Sequence, residues 1–182
     1  MAYFFCQPHD DNANTFVAVA RSILAQLVTQ NASLIPQVYE QSSLSGEVTL
    51  STDDLAKRLL GDVLGCCKNT YIILDGIDSC SKKDRTEIVS VFRVAVESLP
   101  TNQMHDVRCL IVCQNDSVVR KGLANLPTIC IGPADNTVDI EKYWVECKKR
   151  LEADFGSLNL DIVKIVSAQA HGTILKAMEF LE

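Results

Sequence analysis

Four short runs stand out along the chain because they are apolar without alternating: Tyr3-Phe4-Phe5-Cys6, Tyr71-Ile72-Ile73-Leu74, Cys109-Leu110-Ile111-Val112-Cys113 and Thr128-Ile129-Cys130-Ile131. Each is rich in β-branched or aromatic side chains, which predicts strands buried on both faces. Between them apolar residues recur at helical spacing, first at Phe16, Val19, Ala20, Ile23, Leu24 and Leu27, then at Leu55, Leu59, Val63 and Cys66, then at Ile88, Val91, Phe92, Ala95 and Leu99. The second of these helices opens on Ser51-Thr52-Asp53-Asp54, a hydroxyl to accept a backbone N–H followed by acids suited to the positive end of the helix dipole. Residues 81–84 cap the third in the same way, and Pro100 stops it. Strands alternating with amphipathic helices predict parallel crossover units and a three-layer α/β fold.

The pattern changes after Ile131. Helical spacing alone continues through Ile140, Tyr143, Trp144, Cys147 and Leu151, through Leu160, Val163 and Val166, and through Ile174, Leu175, Met178 and Leu181. Gly132-Pro133 marks the switch, so residues 1–133 read as the α/β core and residues 134–182 as a helical appendage.

Composition narrows the function classes. The 182 residues carry 23 acids against 17 Lys and Arg, a formal charge of −6, and a duplex-binding surface needs the opposite excess. The mean hydropathy of +0.11 excludes a disordered tail. No uncharged stretch is continuously apolar over a membrane thickness, and the amino end lacks the basic flank of a signal peptide. A cytoplasmic chain with no membrane and no nucleic-acid duplex as partner is expected. The eight cysteines are scattered and include no C-x₂-C pair, and His9, His105 and His171 fall at no ligand spacing. They read as small buried hydrophobes kept reduced rather than as a zinc site. Cys66-Cys67 reads as packing at a helix end, His171 as a capping or surface residue, and Lys82-Lys83-Asp84-Arg85 and Lys148-Lys149-Arg150 as solvated helix faces.

The sharpest local signal is Tyr71-Ile72-Ile73-Leu74-Asp75-Gly76-Ile77-Asp78, an apolar strand that delivers a carboxylate at its carboxyl end. Ligands of open parallel sheets collect at that edge, and an Asp there can hold Mg²⁺ through its water shell while Gly76 turns the chain. Asp-Gly is equally the ordinary turn after a buried strand. An unrelated phosphotransfer enzyme built on this segment ranks last, because no lysine or Ser/Thr motif pairs with its acids at recognisable spacing.

The order of elements resembles the NACHT module of STAND-type signalling NTPases, in particular the nephrocystin-type version found in fungal NOD-like receptors. Ala2-Tyr3-Phe4-Phe5-Cys6 with the following helix is similar to the strand and helix after that family's phosphate-loop helix. Residues 71–80, with Leu60-Gly61-Asp62-Val63-Leu64 upstream, are similar to its Walker B segment, normally a hydrophobic strand and Asp-Gly-Leu-Asp-Glu-Cys. Residues 107–116 resemble its next strand, which ordinarily ends in Ser-Arg. Val138-Asp139-Ile140-Glu141-Lys142-Tyr143 and Ala170-His171-Gly172 resemble its helical subdomain.

Carried over position by position, the resemblance makes Asp75 the Mg²⁺-associated acid and Asp78 the second acid of a nucleotide site. It implies Mg²⁺ and ATP or GTP for an intact family module and neither for this chain. No G-x-x-x-x-G-K-[ST] occurs in the 182 residues, Ser79 stands where the family has Glu, and Cys113-Gln114 stands where it has Ser-Arg. The family's first strand is central in its sheet. Without it, residues 128–131 are expected either to pair directly with residues 109–113 or to leave two exposed edges that invite a protein partner or self-association. A P-loop-like parallel sheet lacking its first strand, followed by a small helical subdomain and without competent hydrolysis, is therefore the expectation. Two origins fit it: a gene model cut short at its amino end, or a degenerate copy. A module completed by a partner strand is the alternative.

Overall fold

The structure, a computed structural model, describes residues 1–8, 10, 13–46, 48–97, 107–114 and 116–156. The chain divides into two units, Met1–Leu126 and Pro127–Glu182. The first contains β1 (Ala2–Phe5), α1 (Phe16–Gln30), a 3₁₀ turn (Ala32–Leu34), α2 (Ile35–Ser45), α3 (Asp53–Cys66), β2 (Thr70–Asp75), a second 3₁₀ turn (Ile77–Ser79), α4 (Lys82–Glu97), β3 (Val107–Val112) and α5 (Ser117–Gly122). The second contains α6 (Pro133–Phe155). The α/β class with a parallel sheet is as expected: β1, β2 and β3 lie side by side, all parallel.

Both crossovers step in the same direction across the sheet. Right-handed connections of that kind place their helices on one face. Accordingly α1 packs against α3 and α4, and the three form a single layer. Its core consists of Phe16, Val19, Ile23, Leu60, Leu64, Ile88 and Phe92, closed by Ala2, Ile72 and Leu74 from the strands. Burying each such aliphatic or aromatic side chain contributes about 1.5–3 kcal/mol.

Burial on both faces of the strands does not occur among the described residues. Side chains alternate along a strand, and the set pointing away from the helices, Tyr3, Phe5, Tyr71, Leu110 and Val112, is 43–57% exposed. The Arg108 guanidinium covers part of this face, lying 5.4 Å from the Tyr71 ring centre while its Nη1 donates to the Tyr71 hydroxyl at 2.6 Å.

The fourth expected strand is also absent. Residues 128–131 take no strand conformation, and Ile129 and Ile131 are 91% and 73% exposed. Apolar composition alone does not make a strand, which needs a neighbour to complete its ladder. This run sits between Pro127 and Pro133, neither of which can donate a backbone hydrogen bond.

The helix starts were partly legible. The Thr15 hydroxyl accepts from Ala18 N–H at 3.2 Å, and Ser81 Oγ accepts from Asp84 N–H at 3.2 Å to cap α4. Asp84 also reaches across to α1, its Oδ1 accepting from Phe16 N–H at 2.9 Å. At α3 the acids Asp53 and Asp54 occupy the first turn as expected, but the Thr52 side chain makes no capping bond. In the second unit α6 begins at Pro133, and Asp135 Oδ2 accepts from Gly132 N–H at 2.7 Å. Ile140 and Trp144, four residues apart on that helix, are buried as their spacing anticipates. The expected stop at Pro100, all three histidines and the helical spacing beyond residue 156 lie outside the described residues. No helix among the described residues is long and apolar enough to cross a membrane.

Candidate functional site

The carboxyl ends of the three strands meet at one rim, and the turn after β2 is its centre. Asp75 ends β2, Gly76 takes a left-handed conformation with φ of 72°, and the chain winds into the 3₁₀ turn. Both neighbouring strands hold this turn: Cys6 N–H donates to the Asp75 carbonyl at 2.8 Å, and Gly76 N–H donates to the Val112 carbonyl at 3.0 Å. A Cβ at position 76 would lie 2.9 Å from the Cys6 carbonyl oxygen. Glycine is required there by backbone conformation and by close approach together. Ile77, fully buried, pins the turn to the core.

Asp75 and Asp78 therefore lie on one tight turn. The Asp78 carboxylate faces β3, where its Oδ1 accepts from Gln114 N–H at 3.2 Å. Asp75 follows the strand alternation onto the face away from the helices and is paired in register with Phe5 and Val112. Ser79 closes the turn by donating its N–H to the Gly76 carbonyl at 2.9 Å. Three segments distant in sequence, ending at Cys6, Ser79 and Gln114, thus converge on one rim.

Two further pairs at this end were not legible in the sequence. Arg85 Nη1 donates to Asp116 Oδ2 at 2.7 Å, with both side chains largely buried. This corrects the reading of residues 82–85 as a wholly solvated face; Lys83, bridged to Asp53 at 2.6 Å, fits that reading better. The backbone N–H groups of Val119 and Val118, and then the Arg85 guanidinium, hold the Asp116 carboxyl below its ordinary value. The second pair is Cys6 and Cys80, whose sulfurs lie 3.5 Å apart in the interior. A charge run gives no hint of which member turns inward, and residues 74 apart in sequence share no local pattern.

Among the described residues no three His, Cys, Asp or Glu side chains converge to hold an ion. Asp75 has Phe5 and Val112 beside it, and Asp78 is engaged by Gln114 N–H. Mg²⁺ bound through one carboxylate depends on water and substrate phosphates for its remaining ligands, and the neighbours named here supply no group to hold a phosphate. A shallow groove elsewhere, about 320 Å³ in volume, is lined by Lys57, Gly61, Gly65, Ser90, Val91, Val94 and Ala95, with no carboxylate among them.

Residues 1–114 match the family described as nephrocystin 3, N-terminal. That span runs from β1 through β3 and takes in Cys6, Asp75, Asp78, Cys80 and Gln114. No curated protein matches the chain.

Proposed function

Because the chain belongs to the nephrocystin 3 N-terminal family, we propose that it is a degenerate NACHT-type signalling module that does not hydrolyse nucleotide on its own. The observation that carries this reading is the state of the rim. Phosphoryl transfer needs a phosphate cradle, a metal and a positioned water or base. Here the second acid, Asp78, is engaged by the Gln114 backbone, and Gln114 brings no cation to the place where the family pattern has Arg. Ser79 offers a hydroxyl where a carboxylate would orient water, and the 182 residues contain no phosphate-loop motif.

Titration of the purified chain with Mg²⁺ and labelled ATP or GTP should show no binding tighter than millimolar, and incubation should release no phosphate above the buffer rate. Micromolar affinity for either nucleotide would overturn the proposal.

The asymmetry of the sheet edges favours a second reading, a module completed by a partner strand. The outer edge of β1 is covered at Met1 and Tyr3: Gln26 Oε1 accepts from Tyr3 N–H at 3.1 Å while Gln26 Nε2 donates to the Tyr3 carbonyl at 2.7 Å, and Gln30 brackets Met1 in the same manner. On β3 the Val112 carbonyl faces β2, so by the parallel alternation Cys109 and Ile111 direct their backbone groups outward. No strand of the described residues pairs with them. A strand laid along β3 would satisfy those groups. A second copy presenting its own β3 across a two-fold axis is the simplest source of one. Slow hydrogen exchange at Cys109 and Ile111, appearing only at concentrations where the mass doubles, supports this reading. Fast exchange at every concentration removes it.

A further inference from the structure

The geometry points to Cys6 and Cys80 as a reversible thiol–disulfide site that, when oxidised, ties the end of β1 to the turn bearing Asp75, Gly76 and Asp78. None of the eight cysteines is in a disulfide. Cys6 and Cys80 are distinguished by position: Cys80 Sγ donates to Cys6 Sγ at 3.5 Å, whereas Cys66 Sγ donates to Gln37 Oε1 at 3.3 Å. A disulfide requires sulfurs about 2.05 Å apart, so the pair must close by a movement comparable to a rotamer adjustment. Both residues occupy the strand-end rim. Cys6 continues β1 on its helix-facing side with its carbonyl against Gly76, and Cys80 follows the 3₁₀ turn directly. Their exposures are 8% and 4%, which admits a small oxidant during local opening and excludes a bulky one.

The two thiols are unequal. Cys80 is the one eased toward the thiolate, chiefly because that form accepts a hydrogen bond from the Cys6 thiol. The same contact, with burial and the charges of Asp75 and Asp78, pushes Cys6 the other way. The oxidant is hydrogen peroxide. The Cys80 thiol gives up its proton, the thiolate attacks one peroxide oxygen, the O–O bond breaks, and the departing hydroxide takes up that proton as water, leaving a sulfenic acid on Cys80. Cys6 sulfur then attacks Cys80 sulfur, the S–O bond breaks, and the departing hydroxide takes the Cys6 proton as water. Two thiols are oxidised by two electrons in total and one peroxide becomes two waters. A thiol reductant reverses the change.

The test uses the full chain, fully reduced and then treated with hydrogen peroxide. Remaining thiols are blocked under denaturing conditions before tryptic mapping without reductant. Cys6 falls in the peptide 1–21 and Cys80 in the peptide 69–82, whereas Cys66 and Cys67 share neither. The expected result is equal loss of both free peptides, their recovery as one cross-linked species lighter by about two hydrogens, and restoration by dithiothreitol. Treatment in the presence of dimedone should label Cys80 in Cys6→Ser and leave it unlabelled in the parent chain. Cys6 and Cys80 remaining as thiols after the exposed Cys66 and Cys130 have oxidised would overturn the proposal, as would a dimedone adduct on Cys80 of the parent. Neither readout involves nucleotide, so failure here leaves the reading of the rim as a non-hydrolysing site untouched.

Discussion

At the scale of single residues, Gly76 carries the most structure for its size. Its left-handed backbone costs any L side chain about 1–2 kcal/mol, and the Cys6 carbonyl oxygen 2.9 Å from the position of a Cβ belongs to a backbone that cannot rotate away. Gly46, with φ of 70° and nothing within 4 Å of the same position, supplies the comparison. Gly76→Ala should lower stability by about 3 kcal/mol and Gly46→Ala by about 1 kcal/mol, read from urea unfolding midpoints. Equal losses would show that backbone conformation accounts for both.

Asp116 gives a second test at this scale. Its folded carboxyl lies below the ordinary value, so its contribution is complete above the unfolded value of about 3.9 and is lost as pH falls through the folded one. Asp116→Ala should cost about 1 kcal/mol at neutral pH through loss of the cap. Asp116→Asn keeps an acceptor for Val118 and Val119 N–H and should cost less. The gap between the parent and Asp116→Asn should shrink as unfolding is repeated below about pH 4, and a gap that widened in acid would reverse the assigned sign. Cys109 differs from both, since burial alone pushes its thiol up to about 12 and it should resist alkylation at mild pH.

At the scale of elements, α3 contains an apparent flaw. Gly61 and Gly65 lie within the helix, where glycine costs about 0.5–1 kcal/mol relative to alanine, and a Cβ at either position meets nothing within 4 Å. Gly61→Ala should raise stability by about 0.5–1 kcal/mol in a denaturant titration. A loss instead would mean that the space beside α4 is needed by something the folded unit accommodates. The same scale shows where sequence reading works. α1, α3 and α4 were legible because each buries a stripe that recurs every three to four residues. α2 was not: it has no buried residue, so no periodicity advertises it, and its only local signals are a proline in the first turn and the left-handed Gly46. α5 has six residues, too few for a repeat. Residues 128–131 misled for the converse reason, since apolar character identifies a segment able to pair without showing that a partner exists.

At the scale of the whole first unit, the sequence made Asp75 and Asp78 visible but left the rim's wiring hidden. A strand followed by Asp-Gly can be read locally. The contacts that define the rim, Asp78 with Gln114 and Cys6 with Cys80, join residues 36 and 74 apart and follow from the parallel register. That register also explains the bare face, because consecutive crossovers in one direction give the sheet a single helical layer. Tyr3, Phe5, Tyr71, Leu110 and Val112 then form an apolar surface beside the open β3 edge, an arrangement that favours association. A lysine at Leu110 would place a charge on that surface while leaving intact the backbone bonds that residue 110 makes toward β2. Leu110→Lys should therefore leave the unfolding midpoint nearly unchanged, within about 0.5 kcal/mol for an exposed site, and abolish any concentration-dependent rise in mass measured by sedimentation equilibrium. If the parent chain associates and Leu110→Lys associates equally, the apolar face around Leu110 is not the contact, and hydrogen exchange at Cys109 and Ile111 decides whether the β3 edge is.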